Sequence, residues 1–295
     1  MRPIHILAML GICLLWAANI VAIKQAVDVV PPLLAVALRY VVMLPVCLPF
    51  MRWQPGPPAD GRPPAQMTLV IASGLLLGLS FGLGGVAFAY AVNLSALAIA
   101  GQLGVPFSLL LAILFFRERI HWRRTLGIFL SFAGVAILVF DPRIVDERVA
   151  LLLTVAGAFL WAASTLLIRR LSGVHVLSLM GWQSLVSLPL LLLASLVLEP
   201  GALAALPDVP LSAFGWIAYS GLLSSLVGHA GMAWMLQRYP VSTITPLTLP
   251  TPLLSIIIAT LVYGTPVTPL MILGGLLTLT GVAIIALRTA SRASA

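Results

Sequence analysis

The chain has 295 residues, of which 61% are hydrophobic and 8% are charged, and its mean hydropathy is +1.13. About a quarter of the residues in a soluble domain are charged, so a core surrounded by water cannot account for this composition. The net charge of +8 does not indicate nucleic-acid binding, because the basic residues stand singly or in small groups between apolar runs and form no patch rich in aromatics. The composition therefore predicts an integral membrane protein.

The N-terminal run, MRPIHILAMLGICLLWAANIVAI, has one Arg followed by a long apolar stretch, as a signal peptide does. It is longer than the apolar part of a typical signal peptide, so we interpret it as a retained first helix. The two cysteines, Cys13 and Cys47, both lie in apolar runs. They predict neither a disulfide framework nor a metal site.

Ten apolar runs predict ten membrane-spanning helices. Two stretches, 63–116 and 239–287, contain no charged residue, and each is long enough for two crossings of about 20 residues. In chain order, the ten predicted spans cover residues 4–23, 33–51, 67–90, 95–116, 122–140, 149–168, 174–198, 211–236, 241–263 and 268–287.

The basic residues predict the orientation of these spans, because Lys and Arg concentrate in cytoplasmic loops. With the N-terminus inside, twelve Lys and Arg residues fall on the inner side, and three, Lys24, Arg143 and Arg148, fall on the outer side. Six of the eight acidic residues fall outside. We therefore expect both termini to be cytoplasmic.

An internal repeat divides the chain into two halves. LLWAANIVAIKQ at 14–25 returns as FLWAASTLLIRR at 159–170, and GVAI at 134–137 returns at 281–284. The offsets, 145 and 147, are nearly constant. The repeat predicts halves 1–145 and 146–295 of five helices each. Because five is odd, the second half must enter the membrane in the opposite direction.

The predicted fold is therefore an all-α integral membrane protein of ten transmembrane helices, arranged as two inverted five-helix repeats. Inverted repeats are typical of secondary transporters, in which one half moves against the other around a central site. An enzyme is not expected, because the four histidines are far apart in sequence and no acid lies within a span. We expect no cofactor and no metal. A scaffold or sensor is also disfavoured, because almost no part of the chain lies outside the membrane.

Several motifs resemble the drug/metabolite transporter superfamily in its ten-helix form with two EamA-type halves. They are Trp16-Ala17 and Trp161-Ala162 near the start of each half, Arg39 early in span 2, and LLLAILFFRERIHWRRTLGIFLSFAGVAIL at 109–138. The resemblance covers nearly the whole chain. It departs at Gly264-Thr265-Pro266, where such proteins often have an acidic residue.

The resemblance implies a multi-pass transporter for small organic solutes in the bacterial inner membrane, often an exporter, present as a monomer or homodimer. It implies a central cavity lined by spans 1, 3, 4, 6, 8 and 9, with spans 5 and 10 at the periphery. Bacterial members of this kind include amino-acid exporters, some of them specialised for aromatic amino acids. We therefore expect export of amino acids, with aromatic and hydrophobic ones favoured.

Polar and aromatic residues on the cavity helices are the candidates for substrate binding, because a few hydrogen-bonding groups among rings suit small amphipathic solutes. For each Trp the alternative is an interfacial or packing role. The candidates are Trp16, Asn19, Phe81, Tyr90, Gln102, Trp161, Ser164, Thr165, His229, Trp234 and Thr248.

Small residues and prolines are the candidates for gating. Gly74, Gly78 and Gly82 stand four apart in span 3, and Ser220, Ser224 and Gly228 repeat this spacing in span 8. Such stripes let helices approach closely, either as static packing or as sliding surfaces. A proline within a helix leaves one backbone carbonyl without its hydrogen bond. The result is either a simple kink or a break in the helix that faces a cavity. The prolines in question are Pro106 in span 4 and Pro246, Pro250 and Pro252 in span 9.

Two ionisable residues lie within spans, where such groups are costly. Arg39 either extends to the interface or binds a substrate carboxylate. His229 is either a packing residue or a proton carrier, the second of which would make the protein a proton-coupled antiporter. The absence of an acid within a span favours a facilitator or exchanger. Phosphorylated sugars and nucleotide-sugars are alternative substrates, but they would need more cations than Arg39 and Lys24.

Overall fold

The computed structural model describes residues 2–51, 65–116, 122–168, 171, 174–236, 238–239 and 244–293. In these ranges the secondary structure is entirely helical. The α-helices are α1 (Pro3–Val27), α2 (Pro32–Cys47), α3 (Ala65–Tyr90), α4 (Leu94–Ala100), α5 (Gly104–Phe116), α6 (Trp122–Val139), α7 (Arg148–Ile168), α8 (Val176–Leu198), α9 (Leu211–Ala218), α10 (Gly228–Leu236), α11 (Pro250–Tyr263) and α12 (Pro269–Ala293).

Nine helical stretches within the described ranges are long and apolar enough to cross a membrane, which confirms the predicted membrane class. Large apolar side chains cover the outside of the bundle, for example Leu211, which is 85% exposed. Such a surface suits lipid rather than water. The ninth predicted span, 241–263, differs from the prediction, because its described α-helix, α11, has only 14 residues. A 3₁₀ turn, Thr245–Thr248, precedes it.

Prolines and glycines set several helix ends. Pro3, Pro32 and Pro250 stand at the first helical position of α1, α2 and α11, where the missing N–H removes a donor that would have no partner. Gly264 ends α11 in the left-handed conformation, with φ of 62°. The first span extends four residues further than predicted, to Val27.

Three spans are interrupted within the residues that the structure describes. Span 4 is α4 and α5, joined by the 3₁₀ turn Gly101–Leu103. Span 8 is α9 and α10, joined by nine π-helical residues, Tyr219–Val227, which we call the π segment. In span 9 the interruption is the turn before α11. The prolines predicted the interruptions in spans 4 and 9, but no feature of the sequence predicted the π segment.

Two carboxylates, the half-buried one of Glu199 and the buried one of Glu147, hold the starts of helices. Glu199 accepts hydrogen bonds from the backbone N–H groups of Leu33 (2.7 Å) and Leu34 (3.1 Å) in the first turn of α2. Glu147 does the same for Val92 (2.9 Å) and Asn93 (2.7 Å) before α4. Free N–H groups at a helix start carry partial positive charge, so a carboxylate both satisfies and stabilises them.

The helices α6 and α12 meet along residues with small side chains. Ser131 and Thr278 face each other reciprocally: the Ser131 hydroxyl lies 3.5 Å from the Thr278 carbonyl, and the Thr278 hydroxyl lies 3.4 Å from the Ser131 carbonyl. On either side of this pair, Gly127 packs against Gly281 and Gly134 against Gly274. These glycines therefore serve the packing of one chain.

A side chain added to this contact is expected to destabilise the protein. A Cβ atom at Gly127 would lie 2.8 Å from the Gly281 carbonyl oxygen, so α12 would have to move. Overpacking of this kind costs about 1–3 kcal/mol, which corresponds to several degrees of melting temperature. We expect Gly127→Ala to lower the midpoint of thermal unfolding in detergent.

Gly11→Ala is the matched control, because nothing lies within 4 Å of a Cβ atom at Gly11. It should leave the midpoint unchanged or raise it slightly, since Ala favours helices. An unchanged midpoint in Gly127→Ala would show that α6 and α12 are not in close contact.

Candidate functional site

A cavity of about 150 Å³ lies between α1, α2, α3 and the span formed by α9, the π segment and α10. We call it the Arg39 cavity. Its walls are almost entirely apolar. The lining residues are Ile23, Ala26, Val27, Ala35, Val36, Arg39, Phe81, Gly84, Gly85, Phe88, Ile217 and Ser220.

Arg39 carries the charge of this cavity. It lies in the middle of α2 and is 6% exposed, so its guanidinium points into the bundle and does not extend to the end of the helix. One Nη donates to the hydroxyl of Ser225, and the guanidinium lies over the ring of Phe81, 4.2 Å from its centroid. The Nε has no partner. Among the described residues, the structure places no carboxylate in an ion pair with Arg39.

The π segment brings Ser225 to Arg39. The Ser225 hydroxyl donates to the carbonyl of Ser220, five residues earlier, at 2.8 Å, which matches the spacing of a π-helix. The segment also packs directly on α2, because a Cβ atom at Gly221 would lie only 3.0 Å from the Arg39 carbonyl oxygen. Insertions of this type are frequent at functional sites.

Ser220 is the residue of the π segment that lines the Arg39 cavity. It is 4% exposed, and its hydroxyl has no hydrogen-bond partner. A second unpaired acceptor, the amide oxygen of Asn19, lies on α1 one turn before Ile23. Unpaired buried polar atoms cost free energy, so they indicate positions that a ligand can complete.

The structure brings three of the sequence-predicted residues together beside Ser225. Trp16 donates from its indole nitrogen to the carbonyl of Ser224 at 3.0 Å, and its ring lies 5.4 Å from that of His229. Gly228 contacts the Trp16 ring, which leaves no room for a side chain. The Nδ1 of His229 lies 3.0 Å from the Ser225 carbonyl. These residues join α1 to the junction of the π segment and α10.

Other predicted binding residues lie between helices. The Ser164 hydroxyl is buried and donates to the carbonyl of Ser73 on α3 at 2.9 Å. Thr165 donates to the Trp161 carbonyl in its own helix, also at 2.9 Å. The ring of Trp161 lies against Gly104 at the start of α5. None of these three residues lines the Arg39 cavity.

The remaining predicted binding residues lie at helix ends or in interruptions. Tyr90 is the last residue of α3 and is 63% exposed. Trp234, near the end of α10, packs edge-on against His5 at 5.2 Å, with Arg238 over its ring at 3.7 Å. Gln102 and Thr248 are half-buried in the 3₁₀ turns of spans 4 and 9.

The predicted gating residues lie at contacts and interruptions. Gly78 packs against Ser187 and Gly82 against Leu191, both on α8. Three of the prolines follow helix interruptions, since Pro106 is in the first turn of α5 and Pro250 and Pro252 are in the first turn of α11. The backbone of Pro246 is in the 3₁₀ turn before α11, and its side chain lies outside the described part of the chain.

Comparison with known proteins gives the family. The model of the EamA-like transporter family matches residues 3–140 and again 148–287. The chain is 27% identical over 292 residues to a "probable amino-acid metabolite efflux pump" of Escherichia coli K12, with 95% of this chain and 93% of that one covered. A protein of the same name from Salmonella typhimurium is 26% identical over 283 residues, with 92% and 90% covered.

Two further matches are more distant or partial. A "probable terminal-alkyne amino-acid exporter" of Streptantibioticus cattleyicolor is 28% identical over 191 residues, which are 63% of this chain and 62% of that one. A solved crystal structure matches over 100% of both chains, with a TM-score of 0.62 and 18% identity, and this likeness shows the fold alone. Since the two matches of the family model together cover nearly the whole chain, the protein belongs to the EamA-like transporter family and is a membrane transporter rather than an enzyme.

Proposed function

We propose that this protein exports small apolar amino acids across the bacterial inner membrane, by alternating access to the Arg39 cavity. The observation that carries the proposal is a buried arginine, without a carboxylate partner among the described residues, in the wall of an otherwise apolar cavity. The names of the relatives, which are efflux pumps and exporters for amino acids or their metabolites, support the same class of solute.

A substrate carboxylate would supply the partner that Arg39 lacks. A buried cation is costly inside a membrane unless it is paired. The guanidinium presents its donors in a plane that matches a carboxylate, and two parallel hydrogen bonds can form. In the cavity as described, one Nη binds only a neutral hydroxyl, that of Ser225, and the Nε binds nothing. Substrate binding would exchange a weak partner for a charged one.

The size of the cavity favours aliphatic side chains. An apolar cavity of about 150 Å³ holds a ligand of roughly the size of benzene. A small aliphatic amino acid approaches this size, whereas amino acids with an indole or phenol ring are larger and would need the helices to separate further. Phosphorylated sugars and nucleotide-sugars are larger and carry more charge. Arg39 is the single cation among the residues that line the cavity, so these solutes rank below amino acids.

Reciprocal contacts support the inverted repeat of halves 1–145 and 146–295. An offset of 147 relates Gly127 to Gly274, Ser131 to Thr278 and Gly134 to Gly281. In the structure, Ser131 contacts its own counterpart, Thr278. Gly127 contacts Gly281, the counterpart of Gly134, and Gly134 contacts Gly274, the counterpart of Gly127. A two-fold axis between two equivalent halves requires this pattern. In such a transporter the equivalent halves open the central site to each side in turn, and the charge distribution favours cytoplasmic termini.

A second candidate function is proton-coupled export through His229. This residue touches Trp16 and the carbonyl of Ser225, and Ser225 in turn binds Arg39. A proton on His229 would therefore act on the Arg39 cavity through one shared residue. The first candidate remains a facilitator or exchanger that needs no proton.

Arg39→Gln is expected to lower leucine transport at least tenfold. The amide keeps a polar group, although on a shorter side chain, and cannot form an ion pair with a carboxylate. Losing a charge-assisted pair costs more than the roughly 1.4 kcal/mol that corresponds to tenfold. The measurement is counterflow of labelled leucine into liposomes holding the purified protein. Arg39→Lys should retain part of the activity, because the charge stays while the planar donors are lost.

Arg238→Gln is the matched control for charge, because Arg238 lies exposed at the end of α10, away from the cavity. It should transport leucine like the wild type. If Arg39→Gln transports as well as this control, Arg39 does not bind the solute.

The role of His229 can be tested with an imposed pH gradient in the same liposomes. For a facilitator or exchanger, leucine equilibrates with or without the gradient, and it does so in His229→Asn as well. Accumulation that requires the gradient and disappears in His229→Asn would establish the proton-coupled alternative.

A further inference from the structure

We propose that the hydroxyl of Ser220 accepts a hydrogen bond from the α-ammonium group of the substrate. The Arg39 cavity would then select amino acids over carboxylates of the same skeleton that lack the amino group. This inference rests on the proposed function, because it takes Arg39 as the partner of the substrate carboxylate.

The first observation is that Ser220 lacks the bond that six other helical serines and threonines make within their own helices. These six donate to the carbonyl four residues earlier, at 2.7–2.9 Å, and so satisfy themselves within their own helix; they are Ser108, Ser131, Thr154, Thr165, Ser184 and Thr278. Ser220 is buried, as Ser131, Ser184 and Thr278 are, yet its hydroxyl has no partner. The unmet hydrogen bond lies in the wall of a cavity, where a ligand can complete it.

The second observation is that Ser220 lies close to Arg39. The guanidinium donates to the Ser225 hydroxyl, and the Ser225 hydroxyl donates to the Ser220 carbonyl, so one serine joins the two residues. Gly221, the neighbour of Ser220, packs on the backbone of Arg39 itself. In an α-amino acid the carboxylate and the ammonium are attached to one carbon atom. Their partners must therefore be adjacent, as a donor and an acceptor on two neighbouring helices are here.

The third observation is the lack of an acidic residue in the cavity wall. Of the twelve residues that line it, only Arg39 and Ser220 have polar side chains. An ammonium group that enters must therefore bind a neutral oxygen, and the Ser220 hydroxyl is the side-chain oxygen available. A hydroxyl can accept through its lone pairs while it turns its proton away, and rotation of one side-chain bond is enough to aim it.

The pair of solutes that tests this inference is L-leucine and 4-methylpentanoate, which is leucine without its amino group. Each is measured as the concentration that half-inhibits counterflow of labelled leucine in liposomes holding the full chain. We expect the wild type to bind leucine about tenfold more tightly than 4-methylpentanoate, the effect of one hydrogen bond to a charged group. Ser220→Ala should weaken the binding of leucine by this factor and leave the binding of 4-methylpentanoate unchanged, so that the preference for leucine disappears.

Ser108→Ala is the matched control, because it also removes a helical hydroxyl but one that is satisfied by Gly104 in its own helix. It should keep the wild-type preference. If Ser220→Ala does not fold, the wild-type comparison still tests the inference: equal binding of the two solutes would overturn it. A preference that persists in Ser220→Ala would also overturn it, with Asn19 as the next acceptor.

The outcomes separate this inference from the proposed function. If both solutes inhibit equally and Arg39→Gln loses both, the carboxylate site stands and the role of Ser220 is wrong. If neither leucine nor 4-methylpentanoate inhibits or is transported, the proposed function fails as well.

Discussion

Helices in lipid gain no hydrophobic attraction for one another, so this bundle depends on contacts that only small residues permit. Gly78 meets Ser187, and Gly134 meets Gly274, at distances where a larger side chain would not fit. The same kind of contact forms the candidate site. Gly221 lets the π segment lie on the backbone of Arg39, and this contact brings Ser220 and Ser225 to the cavity. The packing of the fold and the chemistry of the site thus share one requirement, which is close approach of backbones.

The close approach of the helix backbones explains how a charged residue can remain inside the bundle. A guanidinium in the middle of α2 needs polar and polarisable neighbours, and it finds the Ser225 hydroxyl on one side and the face of the Phe81 ring on the other. Neither neighbour carries a negative charge, so both stabilise the cation less than a carboxylate would. The described part of the bundle therefore holds Arg39 without a negatively charged partner. A binding site needs such an unpaired cation if the carboxylate of the solute is to pair with it.

The sequence predicts most of the helices within a few residues, because uninterrupted apolar runs and prolines act locally. The burial of Arg39 depends instead on Phe81 and Ser225, which come from distant parts of the chain. The sequence alone therefore leaves extension to the interface and binding of a substrate carboxylate as open alternatives. The π segment could not be predicted, because the spacing of Ser220, Ser224 and Gly228 also fits an α-helical stripe. Hydropathy likewise does not tell an inward face from a lipid face, which is why Tyr90 and Trp234 were expected at the cavity and lie at helix ends.

The charges of the Arg39 cavity bear on the energy source of transport. With leucine bound as proposed, the carboxylate pairs with Arg39 and the ammonium binds a neutral hydroxyl, so the zwitterion adds no net charge to the site. The empty and the loaded cavity then carry the same charge, and both can change their access to the two sides at a similar electrostatic cost. No accompanying ion is needed to balance a solute of this kind. A plain carboxylate would neutralise the site instead, and its transport would differ from that of leucine in its response to the membrane potential.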